Sequence, residues 1–152
     1  MKEASIFFAK ILVYEALIMK KDIPIKKVHN IIFAVIPQKE DSEDSIWEVY
    51  LINLQEEPIT NAIVNSKGFG TLNGKEVKTA TLRHYFERIP PLSYQLVEPV
   101  QPEVLNLHNQ YWLSFTQENY LYDKKYTFVQ GSIEQANFTD IPLINRKGVM
   151  IG

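Results

Sequence analysis

The chain has 152 residues, 45% of them hydrophobic and 22% charged, with no cysteine and a formal net charge of −2. This length suits one domain with a core of its own, and the absence of thiols excludes disulfides, thiolate metal sites and cysteine nucleophiles. A nucleic-acid binder carries a basic excess with arginines to spare, whereas Arg83, Arg88 and Arg146 are the only arginines here, so nucleic acid is not an expected partner.

Residues 1–22 open with MKEASIFFAKILVYEALIM, which is apolar on nearly every side. Lys10 and Glu15 interrupt the run and no small-residue cleavage site follows, so it does not read as a signal peptide. It is also too short and too charged for a membrane span. These features imply a cytoplasmic protein without a transmembrane segment. As a helix the run has one narrow polar stripe of Glu3, Lys10 and Lys21, and it would need a cover. Alternatively Met19, followed by KKDIPIKKV, is the true start, and the residues before it are an untranslated extension. Residues 23–152 then make up the folded domain. Its early charges, Lys20, Lys21, Lys26, Lys27 and the acidic KEDSEDS from Lys39 to Ser45, read as solvated segments.

From Ile31 onward the pattern is that of strands. IIFAVI (Ile31 to Ile36) is rich in β-branched residues and stops at Pro37. IWEVYLINL (Ile46 to Leu54) carries large side chains on both faces, which predicts a central strand. TNAIVNS (Thr60 to Ser66) supplies the next. Further strands are expected at Tyr94 to Glu98, Val104 to Leu107, Tyr111 to Thr116, Tyr120 to Tyr122, Lys125 to Val129 and Gly148 to Ile151. Turns are placed at the DKK of Asp123 to Lys125 and the NRKG of Asn145 to Gly148. TLRHYFERI, Thr81 to Ile89, fits a helix or a strand, and Thr79 and Thr81 favour the strand. Many short strands divided by turn residues predict an all-β fold, an antiparallel β-sandwich of immunoglobulin-like style.

GFGTLNGKE, Gly68 to Glu76, invites a phosphate-loop reading that its spacing refuses. A Walker loop needs a Ser or Thr after its lysine to bind magnesium, and Glu76 stands there instead. Asn73-Gly74 is a favoured type I′ pair, which predicts a hairpin pairing Leu72 with Lys75, Thr71 with Glu76 and Phe69 with Lys78.

Nothing in the sequence specifies a catalytic set, a cofactor or a metal site. His29, His84 and His108 show no metal-ligand spacing, and no serine elbow is present. The densest constellation is aromatic: YWLSFTQENYLYDKKYTFV, Tyr111 to Val129, in which Tyr120, Tyr122, Tyr126 and Phe128 share one face. Tyr120, Tyr122 and Tyr126 are the candidate binding residues, since tyrosine offers large rigid area at little entropic cost; in a sandwich the same rings equally build the sheet. The leading expectation is a non-catalytic protein-interaction domain that binds a protein partner or a second copy through the N-terminal segment or a sheet edge. A glycan-binding module using the three tyrosines is the alternative. An enzyme with a scattered site comes third, and would need a pocket holding His84 or His108 beside a carboxylate.

Overall fold

A computed structural model of the protein describes Lys10, residues 25–39 and residues 45–152. The expected N-terminal helix or extension, residues 1–22, therefore lies outside the described residues, Lys10 apart. In chain order the strands are β1 (Ile25–Lys26), β2 (Ile31–Pro37), β3 (Trp47–Asn53), β4 (Ile59–Leu72), β5 (Lys75–Lys78), β6 (Leu82–Ile89), β7 (Ser93–Val100), β8 (His108–Gln117), β9 (Tyr120–Phe128), β10 (Thr139–Ile141) and β11 (Arg146–Ile151). They form two packed sheets, as a β-sandwich requires. One runs β1-β9-β8-β4, with β5 and β6 following one another along the free side of β4; the other runs β10-β11-β2-β3-β7. All pairings are antiparallel except that of β1 with β9. Among the described residues no helix is long and apolar enough to cross a membrane.

Alternation along the strands divides the apolar residues between two clusters. Ile31, Phe33 and Val35 of β2 point between the sheets with Val49 and Leu51 of β3. They meet Ile59, Ala62 and Val64 of β4, Tyr111, Leu113 and Phe115 of β8, and Tyr126 and Phe128 of β9. Burying each such side chain contributes about 1.5–3 kcal/mol. Ala34 and Ile36 face the other way, joining Tyr50, Ile52 and Ile141 in a second buried cluster. Both faces of β3 are thus apolar, and β3 is central, between β2 and β7.

Three local expectations are corrected. Asp123 to Lys125 is not a turn but the middle of β9, because the Asp123 carboxylate bonds Ser114 Oγ (2.8 Å) and Trp112 Nε1 on the neighbouring strand. The chain reverses earlier, at Glu118 and Asn119, whose φ angles are 50° and 66°. The last turn also comes before Arg146, with Leu143 and Asn145 at positive φ. Arg146 is held in the strand by Glu48 Oε1 (3.2 Å) and the Pro37 carbonyl (2.8 Å). Val104 to Leu107 is not a strand. Pro102–Asn106 forms a 3-10 turn instead, with Pro102 near its start, where a proline's missing N–H costs nothing.

The glycine-rich segment is a hairpin. Asn73 and Gly74 have φ angles of 52° and 78°, as a type I′ turn needs, and Leu72 pairs with Lys75, Thr71 with Glu76 and Phe69 with Lys78. The two-way segment at Thr81 to Ile89 is strand, β6. Between β5 and β6 the edge strand breaks. Thr79 donates its N–H to the Gly68 carbonyl (2.9 Å), while its Oγ1 accepts the Gly68 N–H (2.8 Å) in place of a backbone carbonyl.

Candidate functional site

The break beside Thr79 opens a window onto the space between the sheets. Thr79, Ala80 and Leu82 frame one side of a cavity of about 260 Å³ and Glu98 to Gln101 the other, with Ser66, Gly68, Val104, Asn109 and Tyr111 behind. Gly68 keeps the window this close, since a Cβ there would meet Thr79 Cγ2 at 3.2 Å and Leu107 Cδ1 at 3.4 Å. Small-ligand pockets typically run to about 300–1,000 Å³, so this cavity suits one side chain or a small molecule rather than a large cofactor.

Glu98 reaches the cavity through an irregularity in β7. Val49 pairs with Glu98 but Tyr50 with Leu96, so Val97 is an extra residue and both Val97 and Glu98 turn inward. Glu98 is 9% exposed, Ser66 5% and Tyr111 2%. Ser66 and Tyr111 lie directly opposite one another on β4 and β8. Among the described residues neither of their hydroxyls makes a hydrogen bond, and Glu98 Oε1 is buried without one. His84 Nε2 stands 3.6 Å from that oxygen, beyond hydrogen-bond distance, and is itself unbonded. Burial pushes the Tyr111 hydroxyl well above its ordinary pKa, and the Glu98 charge pushes it the same way. Three residues whose side-chain oxygens make no hydrogen bond among the described residues thus line one cavity, and Glu98 Oε1 is the sealed atom among them. A buried unpaired polar group costs about 1–3 kcal/mol, so natural folds keep few of them.

The expected site residues lie elsewhere and are not brought together as an exposed platform. Tyr120, Tyr122 and Tyr126 do share a face of β9, but it is the inward one. Tyr126 is 2% exposed, with its hydroxyl donating to the Ile31 carbonyl (2.8 Å) and its ring edge-on to Phe33. Tyr122 stacks on Phe115 at 4.8 Å. Tyr120 is exposed at the strand's end, under the Lys26 ammonium at 3.7 Å. Tyr122 also lines a second cleft with Lys26, Lys27, His29, Gln55 and Gln117, where the two glutamines bond each other (2.7 Å).

The histidines separate by environment. His29 is exposed, and His108 Nδ1 accepts the Gln130 N–H (2.9 Å) with its ring against Phe69. His84 is the one beside a carboxylate. That pair lacks a held nucleophile: no hydrogen bond joins Ser66 or Tyr111 to His84, and nucleophile activation requires such a bond at about 2.6–3.2 Å. Among the described residues no cluster of metal-ligating side chains occurs. Hydrogen-bond donors from a ligand are what the arrangement can take.

The chain matches no protein-family model, and comparison with curated proteins finds no match.

Proposed function

We propose that the chain is a non-catalytic protein-interaction domain that receives one side chain of a protein partner in the cavity between β7 and the β5–β6 break. The observation that supports this is the nearly buried Glu98 carboxylate in the wall of an open and mainly apolar cavity: Oε1 is sealed beside His84 Nε2 at 3.6 Å, and the carboxylate makes no hydrogen bond among the described residues. A carboxylate that lines a cavity and has no hydrogen bond inside the protein is a contact held ready for a donor outside. Interface energy concentrates in such anchor pockets, which lets a small window serve a larger docking area. The exposed Leu82 and Leu96 provide apolar surface on the strands that flank it. A chain without cysteine suits a reducing compartment such as the cytoplasm.

The test is selection of binders from a random displayed-peptide library on the full chain, followed by affinity measurement on Ala80→Trp. Ala80 is exposed at the cavity wall, so the indole closes the mouth without entering the core. Selected peptides are expected to share one anchor residue and to lose roughly tenfold or more in affinity for the variant, as anchor contacts do. No enrichment, or peptides that bind Ala80→Trp equally well, would count against the reading.

A further inference from the structure

We infer that the group received in this cavity is a primary ammonium on an apolar stem, either a lysine side chain or a free alkylamine. The inference rests on reading the cavity as the recognition site, and it is carried by the number and kind of unused groups there. An ammonium has three donors and no acceptor. The residues that line the cavity include Glu98, Ser66 and Tyr111, whose side-chain oxygens make no hydrogen bond among the described residues. The carboxylate balances the charge, and each hydroxyl can turn a lone pair inward.

Other ligand classes fit less well. An anion would meet the Glu98 charge without a compensating cation, because Lys67, the cationic residue of the wall, has its ammonium over Phe69 at 5.6 Å. A guanidinium is best held by both oxygens of a carboxylate, and here Oε1 is closed off beside His84. A purely apolar group would leave the oxygens of Glu98, Ser66 and Tyr111 without a partner. The remaining wall, formed by Leu82, Pro99, Val100 and Val104, matches a methylene stem.

The experiment titrates the full chain with Nα-acetyl-lysine methylamide, with 1,5-diaminopentane and with the norleucine analogue that lacks the ammonium. Amide NMR shifts and the melting temperature are followed. The expected result is saturable shifts at Ser66, Gly68, Glu98 and Tyr111 with an amine, a raised melting temperature, and norleucine binding weaker by about tenfold or more, the worth of a charged hydrogen bond. Tighter binding of the lysine amide assigns the group to a protein side chain; tighter binding of the diamine assigns it to a free amine. Glu98→Gln should lose the same factor. Leu82→Lys, which puts a cation at an exposed position of the mouth, should weaken amine binding without touching the core. Equal binding of norleucine, undiminished binding to both variants, or no pocket shifts with either amine would overturn the inference. Selected peptides that share a non-basic anchor and fail on Ala80→Trp would leave the interaction reading standing and remove this one. Amine binding with no enriched peptide would do the reverse.

Discussion

Tyr126 and Glu98 both carry polar atoms into the same core, and their circumstances are opposite. The Tyr126 hydroxyl crosses from one sheet to the other and donates to the Ile31 carbonyl at 2.8 Å, inside a ring cluster with Phe33, Tyr111 and Phe128. Glu98 Oε1 is buried with no hydrogen bond and faces a histidine nitrogen too distant to supply one. The first arrangement repays the desolvation of its polar group and so belongs to stability. The second leaves that desolvation uncompensated inside the protein, which points to a role in recognition. On the proposed reading, the one of the two without a hydrogen bond marks the site.

The comparison can be broken most directly on its structural side. Phe33→Ala removes the ring against which Tyr111 and Tyr126 pack, and should lower stability by about 3–5 kcal/mol in urea unfolding; a loss under about 1 kcal/mol would mean the cluster is not the core. Tyr126→Phe keeps the ring and deletes the bond between sheets, leaving the buried Ile31 carbonyl unpaired, for an expected loss of about 1–2 kcal/mol. A neutral Tyr126→Phe would erase the distinction between the two groups.

Alkaline pH sharpens the same contrast. Burial raises the Tyr126 pKa above its ordinary 10.0, and burial with the Glu98 charge does so for Tyr111. Both hydroxyls therefore stay protonated in the fold after those of the unfolded chain begin to ionise. This contribution to stability is fully present below pH 10.0, the ordinary value, and is lost as pH rises from there through the folded-state values. Urea midpoints taken across that range should hold steady and then fall, and the fall should be shallower in Tyr126→Phe. Smallest of all is Ser66→Ala. It removes a hydroxyl that bonds nothing among the described residues, so thermal unfolding should place it within about 0.5 kcal/mol of the parent or slightly above it.

The sandwich was legible in the sequence wherever local chemistry decides the outcome. Asn73-Gly74 fixed its hairpin and register through a turn that needs two positive φ angles. The doubly apolar run at Ile46 to Leu54 announced a central strand. Trp112 and Tyr111 divided between an exposed and a buried face as alternation requires. What stayed hidden depends on partners distant in the chain. Asp123 looked like a turn residue because the groups that hold it in a strand, Ser114 and Trp112, lie on β8.

Glu98 was obscured by the bulge at Val97. Simple alternation would leave Glu98 on the outer face with Tyr94 and Leu96, and the extra residue reverses it. The faint signal was a single carboxylate within the apolar stretch LVEPV. His84 offered less, since its neighbour comes from the other sheet. The tyrosines of β9 drew attention by number, yet a run of rings is as often how a sandwich fills its core.

Chemical denaturation of Glu98→Gln at neutral pH tests the central claim most directly. If Glu98 is held for a ligand, the neutral amide should leave stability within about 0.5 kcal/mol of the parent or raise it, because a buried charge without hydrogen bonds has been relieved. If Glu98 and His84 instead form an ion pair that holds the sheets together, removing one partner should cost about 3–5 kcal/mol, and that result would contradict the account.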